Sequence, residues 1–151
     1  TLPKLRADTG TALSTLGEQF AICDSYLKVM RVRMGDRLRT VTSLPPSLKD
    51  VPFPPLMLIS LVENAIKHGV EPKAGVVEVR LEAGMRDGHL EVTVSDDGAG
   101  LSLGVGKGTG LANIRAQLDN LFGDSALLAL VARETSGVIA KLSIPMSRIA
   151  P

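Results

Sequence analysis

The sequence predicts an α+β fold, a layer of helices on one face of a mixed, mostly antiparallel sheet. Three observations carry that expectation. Segments of helical and strand period follow one another in the order helix, strand, helix, hairpin, loop, helix, hairpin. The strand segments of the second half come in pairs across short polar turns, Asp87-Gly88 and Ser136-Gly137, as antiparallel neighbours do. Each helical segment carries a single apolar stripe, so each has one face to bury.

Composition sets the bounds. A chain of 151 residues is one domain of ordinary size with a real core. A net charge of +1 gives no reason to expect nucleic acid or an anionic membrane as a partner. With no Trp, one Tyr and three Phe, the core must be aliphatic. No apolar run approaches the length of a membrane span, and no charged-then-apolar leader opens the chain. The single cysteine, Cys23, excludes an internal disulfide framework and suits a reducing compartment as a small core residue. The chain opens in helix-like sequence without an initiator Met and reads as a piece of something longer.

Thr11–Met34 reads as one long helix. Leu13, Leu16, Phe20, Cys23, Leu27, Met30 and Met34 alternate spacings of three and four, a narrow seam that suits either a helix lying on its own domain or the end of a dimerising helix. Gly35-Asp36 stops it. Arg37–Leu44 is a strand candidate of poor alternation, and the prolines at 45, 46, 52, 54 and 55 break up the approach to the next helix. That helix, Pro55–Val70, has Pro55 in its first turn. Leu58, Leu61, Val62, Ala65 and Ile66 form its core stripe, while Ser60, Glu63, Asn64, Lys67 and His68 repeat the spacing on the other side. The plain meaning of the polar face is a solvated surface with a Glu63–Lys67 pair at i, i+4.

A hairpin follows. Val77, Val79 and Leu81 alternate with Glu78, Arg80 and Glu82, and Leu90, Val92 and Val94 alternate with Glu91, Thr93 and Ser95. His89 opens the second strand on its polar side, expected in solvent and without chemical role. The strand runs into Asp96-Asp97-Gly98-Ala99-Gly100, a short loop Leu101–Val105, and Gly106-Lys107-Gly108-Thr109-Gly110. A helix with the stripe Leu111, Ile114, Leu118, Leu121 and Phe122 comes next, ended by Gly123. Two strands, about Ala126–Val131 and Val138–Ile144, close the chain before Pro145.

Chemistry gathers at three places. Gly106-x-Gly108-x-Gly110 leads straight into a helix, where unpaired N–H groups and the helix dipole favour an anion and glycines let phosphate approach. The Lys-Ser/Thr ending of a P-loop is missing, which speaks against an ordinary P-loop enzyme. Asp96, at a strand end before Gly98 and Gly100, can accept a hydrogen bond from an exocyclic amine such as N6 of adenine, or can simply cap its own turn. Asn64 offers an amide oxygen, a hard ligand for Mg²⁺, and Lys67 offers a cation for phosphate oxygens. Glu63 can orient a nucleophile or merely pair with Lys67.

Taken together, LVENAIKHG resembles the N box, DDGAG the G1 box and GKGTGLANIR the G2 box of the GHKL nucleotide-binding superfamily of gyrase, histidine kinases and MutL. More narrowly, RVRMGDRL, PPLMLISLVENAIKHG, GTGLANIRAQL and GVIAKLSIP resemble the catalytic domain of LytS-type sensor histidine kinases, over roughly Leu16 to Pro145. The resemblance implies a two-layer α/β sandwich of the Bergerat type with ATP between helices and sheet, under a lid between the G1 and G2 boxes. It implies that Asn64 holds Mg²⁺ and phosphate, that Lys67 and His68 lie near phosphates or ribose, and that Asp96 reads adenine beside Gly98 and Gly100. Gly106, Gly108, Thr109 and Gly110 would meet the phosphates, with Leu111 packed behind them. Glu63, Asn64 and Lys67 would be the catalytic set.

The resemblance further implies transfer of the γ-phosphoryl group to a histidine on a separate dimerisation domain, then to a response regulator. Residues 1–34 would be the end of a linker from that domain and 35–151 the ATP-binding domain of a homodimer, on the cytoplasmic side of a membrane-bound bacterial sensor. The pattern departs in places. Ile59-Ser60 stand where the LytS type has Gln-Pro, and Ser60 where many kinases have a second Asn, so metal coordination would rest on Asn64 and water. Asp97 stands where Asn is frequent. The lid is very short, which implies weak, fast-exchanging ATP. No acceptor motif resembling PHFLFN occurs, so the chain should bind ATP–Mg²⁺ without phosphorylating itself. The alternatives are an anti-sigma-factor-like serine kinase and a catalytically silent nucleotide-binding scaffold.

Overall fold

A computed structural model describes residues 14–71, 74–99, 110–133 and 136–149. The described residues open on a two-residue strand β1 (Ser14–Thr15), and helix α1 (Leu16–Met34) follows directly. The helix thus starts later than Thr11, because Ser14 and Thr15 are extended and pair with β3 (Pro52–Phe53). Thr15 is the N-cap of a capping box: its hydroxyl accepts from the Glu18 N–H at 3.1 Å, and the Glu18 carboxylate accepts from the Thr15 N–H at 2.8 Å. The Leu16 and Gly17 N–H groups donate to the Val51 and Lys49 carbonyls, both at 2.8 Å, so the first turn is satisfied by the proline-rich approach.

Leu16, Phe20, Cys23, Leu27 and Met30 of the expected seam are buried in the same core as the sheet, and Met34 packs against it. Leu13 lies outside the described residues. The seam of α1 is therefore occupied by its own domain. Ile22, Val29 and Val32 on its outer side are exposed.

Strand β2 (Leu38–Ser43) then lies parallel to β4 (Val77–Arg86), with Leu38 opposite Val77. A parallel pair needs a crossover, and helix α2 (Met57–Asn64) supplies it. Two features of α2 depart from the sequence expectation. Pro55 is not in its first turn, since Leu56 is left-handed (φ 69°) and forms the N-cap. Past Asn64 the helix widens into a π-helical stretch, Ala65–Val70, whose last carbonyl accepts from the Arg37 guanidinium at 2.9 Å.

The hairpin of β4 and β5 (His89–Asp96) turns at Asp87 and Gly88, with φ 52° and 77°, the two positive angles a tight two-residue turn needs. His89 is half-buried rather than solvated, with Nδ1 3.1 Å from the Asp87 carbonyl oxygen as a brace on that turn. Helix α3 (Gly110–Phe122) buries Leu111, Ile114, Leu118 and Phe122. Strands β6 (Leu127–Ala132) and β7 (Val138–Pro145) complete the five-stranded sheet, ordered β2-β4-β5-β7-β6 and antiparallel except at β2–β4. Alternation holds along β4, β5 and β7: Val77, Val79, Leu81, Leu90, Val92, Val94, Ala140, Leu142 and Ile144 are all buried under the helical layer.

Candidate functional site

The core stripe of α2 is buried as expected, Leu58, Leu61, Val62 and Ile66 each at 1% exposure or less. Burying it fixes where the polar stripe looks. Ser60 turns inward on its own helix, its hydroxyl donating to the Leu56 carbonyl at 2.9 Å. The Asn64 amide nitrogen donates to the Ser60 carbonyl at 3.0 Å. A carbonyl can only accept, so this bond settles which end of the amide is nitrogen, and the Asn64 oxygen is the end turned away from the helix backbone. That oxygen is the hard donor a Mg²⁺ ion would use.

The π-helical stretch changes the register beyond Asn64. A π turn is closed by i→i+5 bonds, so Lys67 no longer stands one α-turn from Glu63. The expected Glu63–Lys67 ion pair does not form among the described residues; both side chains are exposed. Glu63 instead faces α1. Burial pushes the Cys23 thiol up to about 12, and the Glu63 carboxylate adds to the shift. Tyr26 is raised by burial first, then by Glu63 and Glu71, with Arg33 opposing.

The same widening brings Gly69 onto the end of β5. Asp96, 4% exposed, accepts from the Gly98 N–H at 2.9 Å through Oδ1. A Cβ on Gly69 would stand 2.5 Å from that oxygen and 2.7 Å from Cγ. Gly98 in turn lies so close to the Gly69 carbonyl that no Cβ would fit, and the Ala99 N–H donates to that carbonyl at 3.0 Å. Two glycines therefore let a helix end and a strand end touch through backbone, with a carboxylate between them.

Around that contact is a mainly apolar cavity of ≈ 40 Å³. Asn64, His68 and Gly69 line it from the helix, Val94 and Asp96 from β5, and Leu111 from α3, with apolar side chains of β6 and β7 behind. Bounded by the described residues, the space suits about two or three waters at ~15 Å³ each. His68 Nε2 is shielded from solvent and has no hydrogen-bond partner among the described residues, so it is available to a ligand. An aromatic base fits this donor set: apolar walls for the ring, one buried carboxylate for an exocyclic amine, and an amide oxygen beside them. Among the described residues no three His, Cys, Asp or Glu side chains cluster as a metal site.

Of the expected site residues, Asn64, His68, Asp96 and Leu111 share this cavity, and Gly98 braces it. Glu63 and Lys67 are not in its wall. Gly110 opens α3, while Gly100, Gly106, Gly108 and Thr109 lie outside the described residues, as does the lid Leu101–Val105. The sequence assigns Gly69 no role of its own and marks Ser136-Gly137 only as a turn, whereas the structure sets both against the corner that carries Asp96. A glycine inside a helical pattern was the available signal for the first.

The fold and this cavity are those of a two-layer α/β sandwich with a buried carboxylate, Asp96, at the end of a central strand. Residues 50–148 match the family described as histidine kinase-, DNA gyrase B-, and HSP90-like ATPase, and the chain belongs to that family of ATP-binding domains. It is homologous to sensor histidine kinases. It is 29% identical over 136 residues to the sensor histidine kinase YesM of Bacillus subtilis, covering 87% of this chain and 24% of that one. It is 25% identical over 150 residues to the sensor protein LytS of the same organism, covering 91% and 25%. The chain thus spans about a quarter of the length of these relatives. Among solved structures it superposes on the histidine kinase domain of the Erythrobacter litoralis EL346 blue-light activated kinase (TM-score 0.65, 23% identity, 91% and 69% covered). It superposes also on a nucleotide-free catalytic domain of the histidine kinase ThkA (TM-score 0.67, 18% identity, 89% and 95% covered).

Proposed function

We propose that this chain is the catalytic domain of a LytS-type sensor histidine kinase, which binds ATP–Mg²⁺ and donates the γ-phosphoryl group to a histidine on a separate dimerisation domain. The observation that carries the reading is the convergence of Asp96, Asn64 and His68 on one cavity, within a family of ATP-binding domains. Asp96 accepts the adenine amine; its Oδ1 is held by the Gly98 N–H, so the carboxylate is oriented before the base arrives. The Asn64 oxygen, with water, holds Mg²⁺, which when bound draws negative charge off the phosphates. His68 donates to or accepts from ribose or phosphate. Leu111 closes the apolar side, Gly98 shapes the base pocket, and the motif resemblance gives Gly100 the same role.

The motif resemblance assigns Gly106, Gly108, Thr109 and Gly110 to the phosphates, and of these Gly110 opens helix α3. Lys67 neutralises phosphate charge from the exposed side of the helix. Glu63, exposed on the α1-facing side, meets the incoming acceptor. Catalysis of phosphoryl transfer is positioning and charge stabilisation, and the acceptor's half of that positioning belongs to another domain. Both histidines of this chain have other places, His68 in the cavity wall and His89 on a hairpin turn.

The partners that follow are the histidine-bearing domain, a second copy in the full-length dimer, and a response regulator. A ThkA structure in complex with the regulator TrrA is among the folds this chain resembles, at 14% identity and a TM-score of 0.65. No described helix is long and apolar enough to cross a membrane, and we place the domain on the cytoplasmic side of a membrane-bound bacterial sensor. Incubation with γ-labelled ATP and Mg²⁺ tests the assignment. Nucleotide binding without phosphohistidine on the chain alone, and transfer once the acceptor domain is added, is the expected result. Stable phosphohistidine on the chain alone overturns the division of labour.

A further inference from the structure

We propose that Ser136, on the turn between β6 and β7, is a positioning residue for base recognition, acting through the backbone that carries Asp96. The inference rests on the adenine reading of Asp96 given above. The Ser136 hydroxyl donates to the Asp97 carbonyl at 3.1 Å and also reaches the Gly98 carbonyl. A hydroxyl has one hydrogen, so it sits astride both carbonyls and ties the corner after β5 to the neighbouring turn. Gly137, at φ +98°, lets that turn come in close: a Cβ there would run into the Asp96 carbonyl and stand 2.7 Å from the Asp97 Cα.

The corner is held on its other side as well. The Glu78 N–H donates to the Asp97 carboxylate at 2.7 Å, and the Asp97 N–H donates to the Glu78 carbonyl at 3.3 Å. Asp97 is thus tied to strand β4 and does not line the cavity. Ser136 does not line it either. What links both to the cavity is the 2.9 Å bond from the Gly98 N–H to Asp96 Oδ1: where Gly98 goes, the carboxylate follows. Ser136 from the β7 side and Glu78 from the β4 side hold the Asp97–Gly98 corner between them, and that corner positions the Gly98 N–H to which the Asp96 carboxylate is bonded. The turn is about forty residues downstream of the corner it fixes (|i−j| of 39 and 38), so nothing in the local sequence around Asp96 announces it.

The effect belongs to the base and not to the phosphates. ITP carries a carbonyl at C6 and a hydrogen at N1 where ATP carries the exocyclic amine and a bare N1, so the ATP-to-ITP affinity ratio reads recognition at the edge of the base that faces Asp96. Tripolyphosphate reads the charged tail. Calorimetric titration of the 151-residue chain with each, with Mg²⁺ present, is the experiment. The wild type prefers ATP; Ser136→Ala lowers the ratio by about three- to tenfold, the range of one lost hydrogen bond. Its tripolyphosphate affinity stays unchanged, and Ser136→Thr, which keeps the hydroxyl, restores the ratio. Asp97→Ala, acting on the other side of the corner, lowers the ratio in the same way and serves if Ser136→Ala fails to fold. An unchanged ratio in both alanine variants, or an equal loss of all three ligands, overturns the role of Ser136 while leaving Asp96 as the base reader. A wild type that does not distinguish ATP from ITP overturns the base reading, and this inference with it.

Discussion

Gly69→Ala separates this site from an ordinary helix. At an undemanding helical position the change stabilises by about 1 kcal/mol, because alanine loses less backbone freedom on folding. Here the added Cβ would stand 2.5 Å from Asp96 Oδ1, 2.7 Å from Cγ and 2.9 Å from Oδ2. All three are closer than carbon and oxygen pack, so something must move. The carboxylate is short, 4% exposed, and anchored to the Gly98 N–H at 2.9 Å, so it moves only by giving up that bond. A hydrogen bond to a charged group is worth about 1.5–3 kcal/mol. Loss of that order exceeds the propensity gain, and the net is a destabilisation of roughly 0.5–2 kcal/mol. A displaced Asp96 also misses the adenine amine, and ATP affinity falls by about ten- to a hundredfold. Urea denaturation gives the first quantity and calorimetric titration with a non-hydrolysable ATP analogue the second. A Gly69→Ala chain that is more stable than the wild type and binds the analogue equally well refutes the packing of Gly69 on Asp96 and the anchoring argument together.

Other outcomes follow from the same geometry. Asn64→Ala weakens ATP binding in the presence of Mg²⁺ by about tenfold or more, while titration in EDTA shows a far smaller difference, because the metal-facing oxygen is what the change removes. Cys23 is fully buried with its thiol raised from 9.0 to about 12, so thiol reagents leave it unmodified at pH 8 until denaturant is added. The raised value means the folded state keeps a proton that the unfolded state loses. The stabilisation is complete below about pH 9 and is lost as pH rises toward 12, at up to ~1.4 kcal/mol per pH unit, measurable by urea titration at stepped pH. Glu63→Gln removes the carboxylate that adds to the shifts of Cys23 and Tyr26, so the ultraviolet titration of Tyr26 moves to lower pH; an unmoved Tyr26 would mean that Glu63 does not face α1.

Much of this molecule is written in local patterns. The alternation of β4 and β5, the turn at Asp87-Gly88 and the core stripe of α2 follow from period and turn chemistry, and all three stand in the structure as read. The three boxes located Asn64, His68, Asp96 and Leu111, which share one cavity. What was not legible depends on contacts between distant segments. The start of α1 is set by the pairing of Ser14 and Thr15 with Pro52 and Phe53, not by helix propensity at Thr11. A π-helical stretch has no sequence period of its own, so the broken Glu63–Lys67 register could not be read from spacing. Gly69, Ser136 and Asp97 matter through backbone atoms of residues far along the chain, and such contacts leave no trace in residue type beyond a glycine or a serine.

The most direct test of a shared cavity gripping both ends of ATP is a titration with a non-hydrolysable ATP analogue and Mg²⁺ on the wild type, Asp96→Asn and Asn64→Ala. Binding by the wild type, lost on substitution of Asp96 whether or not metal is present and lost on substitution of Asn64 only when metal is present, is the predicted result. Absence of binding by the wild type, or equal binding by all three, contradicts it.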